Sequence, residues 1–81
     1  MKVKVKVRQP KEEIVEIRED FIKLDSLLKF ALVAESGGQA KMMIQDGLVK
    51  INDEVCTQRG KKVFIGDKVT AMGRRLVVTK A

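Results

Sequence analysis

The chain has 81 residues, 44% of them hydrophobic, which suits one small domain with a modest core. Its 17 basic and 11 acidic side chains give a net charge of +6, which favours an anionic partner. The absence of histidine and the lone Cys56 exclude an internal disulfide and the usual zinc sites, so neither a metal nor another cofactor is expected.

The N-terminal part alternates in polarity and predicts strands. Residues 1–7 alternate valine and lysine, as in a half-exposed edge strand whose lysines discourage aggregation rather than contact RNA. Pro10 ends that run, and residues 13–17 form a second short strand that could pair back as a hairpin. We therefore expect residues 1–20 to be a strand extension of the domain formed by residues 21–81.

A helical period begins at Leu24, and Lys23 stands just outside the start of this helix. The apolar positions have the spacing of one helix face: Leu24, Leu27, Leu28, Ala31 and Leu32. A second helix is predicted from the Ser36 cap to Gly47, with Ala40, Met43 and Ile44 facing inward. Because about three residues link the helices, they should pack antiparallel or at a steep angle.

The start of the second helix is the most informative segment of the chain. Ser36 followed three residues later by Gln39 is a capping-box pattern. Gly37 and Gly38 lie between them, so a phosphate could approach the helix amides closely, and Lys41 follows one turn later. This segment predicts an anion-binding site.

Strands and turns are predicted after Gly47. Residues 49–51 and 54–56 should form a hairpin around a tight turn at residues 52–53. Residues 57–62 form a polar loop with the densest basic cluster, Arg59, Lys61 and Lys62. A turn at residues 66–67 and strands at 68–72 and 75–79 complete an α+β fold, with two short helices on a small, mostly antiparallel sheet.

Four blocks of this sequence resemble the S4 domain family, also called the alpha-L RNA-binding motif. The blocks are residues 23–25 with Leu28, residues 36–41 with Ile44, residues 47–52, and residues 66–67. They occur in the family's order and close to its spacing, over about residues 21–72, which makes the match specific. The chain looks most like the short stand-alone bacterial members of the family.

The resemblance implies binding of structured RNA, commonly ribosomal or transfer RNA, by the two helices and the adjoining hairpin. Lys23 matches the family's basic residue before Leu-Asp, Ser36 its helix-opening serine, and Lys41 its basic residue one turn into the second helix. Gly37 departs from the family, since many members have an arginine there. That departure removes one bidentate contact and leaves the glycine amides as the alternative anchor.

The predicted RNA-binding residues act through charge and backbone amides. Lys23, Lys41 and Lys50 would neutralise phosphates across the two-helix face. The amides of Gly37 and Gly38 and the side chain of Gln39 would bind a phosphate or ribose next to Ser36. Arg59, Lys61 and Lys62 would extend the footprint. Because Tyr and Trp are absent and Phe occurs three times, recognition by base stacking is not favoured.

Two other functions compete with RNA binding. The basic face could serve a protein-interaction adaptor that meets an acidic partner. Catalysis is disfavoured because each candidate base lies at a helix end or turn, where a structural role is the default: Asp25, Asp46, Asp53 and Asp67.

Partner, compartment and assembly are also predicted from the sequence. No apolar run approaches the roughly 18 residues that a membrane span needs. The N-terminus alternates lysine and valine instead of forming the apolar block of a signal peptide, so a cytoplasmic protein is expected. The partner would be RNA, alone or within a ribosome or other ribonucleoprotein, and not a membrane. Met42 and the N-terminal edge strand would allow either a monomer or a weak dimer.

Overall fold

The structure is a computed structural model that describes residues 12–81. Its elements are β1 (Glu12–Ile17), β2 (Phe21–Lys23), α1 (Leu24–Phe30), α2 (Gly37–Gln45), β3 (Val49–Ile51), β4 (Glu54–Val55), β5 (Lys62–Phe64), β6 (Lys68–Ala71) and β7 (Arg74–Lys80). This order confirms the α+β prediction, whereas the strand predicted at residues 1–7 lies outside the described residues. Neither helix in residues 12–81 has the length and apolar character needed to cross a bilayer.

Five strands form the main sheet, in the order β1-β7-β6-β3-β4. The three pairs among β7, β6, β3 and β4 are antiparallel, as predicted. The short strand β1 pairs in parallel with β7, from Glu12 opposite Arg75 to Ile17 opposite Lys80. The first described strand is therefore held against the last one.

A second, two-stranded sheet was not predicted from the sequence. β2 pairs antiparallel with β5, and Phe21, Ile22 and Lys23 lie opposite Phe64, Val63 and Lys62. The prediction of a loop ending at Lys62 is therefore wrong at that residue, which begins β5. Strands of three residues are too short for alternation to identify, and each is defined by a partner distant in the sequence.

The core lies between the two helices and one face of the main sheet. It contains Leu24, Leu27 and Leu28 of α1 and the three inward residues predicted for α2, together with alternate residues of the strands. On the predicted apolar face of α1, Ala31 is only partly buried, and Leu32 is 80% exposed, so the prediction is wrong for Leu32. The buried set is Val15, Leu24, Leu27, Leu28, Ala34, Ala40, Met43, Ile44, Val49, Val63, Val69, Ala71, Leu76 and Val78. Burial of these apolar side chains fixes both helices on the same side of the sheet.

The two helices end with the same hydrogen-bond pattern but different residues. In α2 the predicted Gly47 has a φ of 76°, and the amides of Gly47 and Leu48 bond the last-turn carbonyls. In α1 the same position is Leu32, with a φ of 60°. Helix α1 therefore ends at Phe30, before the predicted Ala31 and Leu32, and the link to α2 is longer than the three residues expected.

Candidate functional site

All ten residues predicted to bind RNA are exposed, and the fold gathers most of them at the starts of the two helices. The exposed residues are Lys23, Ser36, Gly37, Gly38, Gln39, Lys41, Lys50, Arg59, Lys61 and Lys62. Helix α1 has seven residues and is therefore about 10 Å long. The two helix starts thus lie within reach of one macromolecular ligand.

The basic loop is attached directly to the start of α1. The first two amides of the helix donate to the carbonyl oxygens of Lys61 and Arg59, at 2.9 and 3.1 Å. Lys62 lies opposite Lys23 across the β2–β5 pair. The loop cations are therefore brought to the same end of α1 as Lys23, which is distant from them in the sequence. We name these four residues the α1 cluster: Lys23, Arg59, Lys61 and Lys62.

The start of α2 has the predicted serine cap. Ser36 Oγ accepts a hydrogen bond from the Gln39 amide at 3.1 Å. Gln39 Oε1 accepts from the Glu35 amide at 2.6 Å, one residue before the position expected in a capping box. The amides of Gly37 and Gly38 have no acceptor within residues 12–81 and point out of the helix start. Helix α2 therefore offers two free donors, whereas the first amides of α1 are already bonded.

Lys29 lies beside these free donors, although the sequence prediction did not include it. Its Cδ is 3.9 Å from the position that a Cβ on Gly37 would occupy. Lys41 lies one turn along α2 from Gly37, on the same side of the helix. The sequence signal for this residue was a basic side chain in the last turn of α1. The link between the helices returns the chain so that the start of α2 lies next to that turn. We name Lys29, Gly37, Gly38 and Lys41 the α2 cluster.

Lys50 does not share the two-helix face, which corrects the prediction that it does. Its neighbours Val49 and Ile51 point into the core between sheet and helices. Because side chains alternate along a strand, Lys50 lies on the opposite face of the sheet. Lys50 therefore projects from the face of the sheet away from the helices, the face it shares with Val55 across the β3–β4 pair.

Other basic side chains are neutralised by the acidic segment at residues 12–20. The ion pairs are Lys68 with Glu12 at 3.3 Å, Arg75 with Glu12 at 3.9 Å, Arg74 with Glu13, and Lys80 with Asp20 at 3.0 Å. Within the described part of the chain, the cations of the α1 and α2 clusters form no such pairs. Within residues 12–81, most of the cations without an ion pair therefore lie at the helix starts, and Arg18 and Lys50 are the others.

The Arg74–Glu13 ion pair also contains several hydrogen bonds. Arg74 Nε donates to Glu13 Oε2 at 2.8 Å, and its Nη2 also donates to the Ala31 carbonyl at 2.9 Å. The bond to Arg74 lowers the pKa of Glu13, and the bond to Glu13 raises the pKa of Arg74. This guanidinium joins β1, β7 and the end of α1, so its role is structural.

The lone thiol and the acidic residues show no arrangement typical of a metal site. Cys56 is half-buried, and its Sγ lies 3.6 Å from the Gln58 carbonyl oxygen. In the part of the chain that the structure describes, no three His, Cys, Asp or Glu residues are grouped to hold a metal ion.

Comparison with known families agrees with this geometry. The model of the S4 domain matches residues 15–79, which is most of the chain and includes both clusters. This chain belongs to the S4 domain family. The match begins within β1 and ends in the last strand, so the S4 domain includes the parallel β1–β7 pair.

Two related proteins are similar over most of their length. A Bacillus subtilis (strain 168) relative named "Probable ribosome maturation protein RlbA" is 39% identical over 59 residues, covering 73% of this chain and 83% of the relative. The solution structure of YbcJ from E. coli, described as having an alpha-L motif involved in RNA-binding, has a TM-score of 0.59 and 26% identity. That match covers 98% of this chain and 99% of YbcJ.

Proposed function

We propose that this S4 domain is a non-catalytic module that binds structured RNA through the α1 and α2 clusters. The observation that carries the proposal is the distribution of unpaired cations. The acidic segment neutralises the basic residues of β6 and β7, whereas those at the helix starts lack ion-pair partners in residues 12–81. A surface of this kind attracts a polyanion by releasing its counterions.

The contacts would position the RNA backbone more than read its bases. Lys23 and Lys41 would neutralise phosphates, and the free amides of Gly37 and Gly38 would donate to one phosphate at the start of α2. Ser36 and Gln39 would hold that helix start in shape through their mutual capping bonds. Arg59, Lys61 and Lys62 would extend the contact along the next stretch of backbone.

The relatives favour ribosomal RNA over transfer RNA as the first ligand to test. RlbA is named as a probable ribosome maturation protein, and YbcJ is described as having a motif involved in RNA-binding. We propose that this chain likewise acts in the cytoplasm on ribosomal RNA or on a ribosomal particle. An acidic protein partner, the competing prediction, is an alternative outcome of the same experiment.

The test is binding of the purified protein to ribosomal RNA, transfer RNA and a random duplex over a range of salt. If about five phosphates are neutralised, the slope of log affinity against log salt should be roughly −3.5 to −4.5. Lys41→Glu should weaken binding at least about tenfold at low salt, because it places a negative charge beside a phosphate. Lys80→Glu makes the same change in net charge at a cation already paired with Asp20, and it should have a much smaller effect.

Two results would contradict the proposal. If Lys41→Glu and Lys80→Glu weaken binding equally while circular dichroism is unchanged, net charge alone would explain the affinity. If all three RNAs bind equally and weakly, and an acidic partner is captured from nuclease-treated lysate instead, the adaptor function would replace RNA binding.

A further inference from the structure

The β2–β5 pair brings aromatic and basic side chains together on one exposed face. Phe21 lies directly opposite Phe64, and Lys23 lies opposite Lys62. The two rings are 5.8 Å apart between centroids and tilted by 50°, and Lys62 Nζ is 4.7 Å from the Phe21 centroid. The sequence disfavoured base stacking because aromatic residues are few. The fold nevertheless places two of the three next to the α1 cluster.

Phe64 also forms one wall of a groove of about 470 Å³ beside the β3–β4 hairpin, which we name the hairpin groove. Val55 and Ile51 add apolar surface. Lys61 and Lys62 of the α1 cluster also line the groove, together with the acidic residues Glu54 and Asp67. The Phe64 side chain is 48% exposed, so much of its ring remains uncovered. The groove lies in the size range of small-ligand pockets, about 300–1,000 Å³.

The groove is held in shape by polar groups that bond each other. Asp67 accepts from the Phe64 amide at 2.9 Å and from Asn52 Nδ2 at 3.1 Å. Asn52 Oδ1 in turn accepts from the Lys68 amide at 3.0 Å. These bonds tie the hairpin turn to the strand that carries Phe64. The backbone that carries the ring is therefore held in position before any ligand arrives.

We propose that the hairpin groove takes an unpaired nucleobase of the bound RNA, stacked on Phe64, while Lys61 and Lys62 hold the flanking phosphates. This inference rests on the proposed RNA-binding function and narrows the ligand to structured RNA with an unpaired nucleotide. A flat aromatic base with a charged backbone matches a groove whose lining includes an exposed ring and two cations. A fully paired duplex would satisfy the cations but leave the ring uncovered.

The test compares two RNA hairpins that differ by a single bulged 2-aminopurine nucleotide. The wild-type protein should bind the bulged hairpin at least about fivefold more tightly, and stacking should quench the 2-aminopurine fluorescence. Phe64→Leu keeps an apolar side chain without a ring, so it should abolish both the preference and the quenching. Phe64→Tyr should retain both.

The matched control is Phe30→Leu, because Phe30 is 64% exposed and lines a different groove, on the far side of Phe21. It should behave as wild type. Val55→Glu, at an exposed position on the opposite wall, places a carboxylate in the hairpin groove and should remove the preference even if Phe64→Leu folds poorly.

The outcomes separate this inference from the proposed function. If Phe64→Leu and Val55→Glu retain the bulge preference, or if wild type shows none while still binding ribosomal RNA in a salt-dependent way, the stacking site is overturned and RNA binding stands. If wild type binds neither hairpin nor ribosomal RNA, the proposed function itself fails. If Phe64→Leu keeps the bulge preference but no longer captures a protein partner from nuclease-treated lysate, the groove binds that partner instead.

Discussion

Most basic side chains in residues 12–81 fall into two groups that differ in what surrounds them. Those on β6 and β7 lie against β1 and the acidic residues of segment 12–20, which pair with them. Those at the helix starts have no carboxylate partner within residues 12–81, and two of them, Lys29 and Lys62, lie near Gly37 and the Phe21 ring, respectively. The first group holds the sheet together, whereas the second is free to bind an external anion.

This difference shows why a charge count along the sequence does not locate a binding surface. Residues 21–81 contain eleven basic and six acidic side chains, an excess that does not show which of these cations are free. Residues 12–20 contain five acidic side chains, and three of these pair with cations from the end of the chain. Only the parallel pairing of β1 with β7 reveals which cations are already neutralised.

The largest expected effect is on thermal stability, when an ion pair between segment 12–20 and the sheet is broken. Glu13→Gln removes the charge that holds Arg74 and should lower the melting temperature at neutral pH without weakening RNA binding. In the folded state the pKa of Glu13 is lowered below its ordinary value of 4.5. Its contribution is therefore complete above that ordinary pKa and is lost as the pH falls through the lower, folded-state pKa.

Thermal unfolding of wild type and Glu13→Gln from neutral pH to about pH 3 should thus give melting temperatures that converge in acid. Glu19→Gln, at an exposed glutamate outside these ion pairs, is the control and should track wild type throughout. If the melting temperatures of wild type and Glu13→Gln differ by the same amount at every pH, the ion pair does not stabilise the sheet. Charge pairing would then not distinguish the two groups of basic side chains.

An intermediate effect is expected at the start of α2, where stability and binding should change in opposite directions. A Cβ on Gly38 would meet only Ser36 Oγ at 3.9 Å, an ordinary contact, so Gly38→Ala should fold. Alanine should stabilise the helix by up to about 0.5–1 kcal/mol. The methyl group should hinder the hydrogen bond from this amide to a phosphate, which contributes about 1.5 kcal/mol. RNA binding should therefore weaken about threefold to tenfold.

Chemical denaturation and RNA titration of Gly38→Ala would test both expectations. Gln45→Ala, at the exposed far end of the same helix, is the matched control and should leave RNA affinity unchanged. Stronger RNA binding by Gly38→Ala would mean that the free amides are not part of the interface.

The helices and most of the main sheet could be predicted because their signals are local. The cap at Ser36 and the terminating glycine at Gly47 are determined by neighbouring residues, and the structure has both. The early end of α1 was missed because apolar spacing continues to Leu32, which takes a left-handed backbone that leucine rarely adopts and leaves its side chain exposed. The β2–β5 pair was missed because its strands are too short to have a period.

The residues of the candidate site also divide into those that local sequence indicates and those whose position depends on packing. Lys23, Ser36 and Lys41 were identified from residues next to them in the sequence. Lys50 was assigned to the wrong face because the side of a strand that meets the helices depends on sheet packing. The position of Lys29 over Gly37 required the path of the link between the helices.

The smallest expected effect is on the salt dependence of RNA binding when one unpaired lysine, Lys29, is replaced. Lys29→Ala removes one cation of the α2 cluster that lacks an ion-pair partner within residues 12–81, so the slope of log affinity against log salt should become shallower by about 0.7–0.9. Lys68→Ala removes a cation that Glu12 already neutralises, and its slope should stay close to that of wild type. Both lysines are exposed, so neither substitution should disturb the core. Equal changes in slope would mean that ion pairing within the protein does not decide which cations the RNA uses. A change at Lys29 alone would show that the acidic segment restricts RNA to the helix starts.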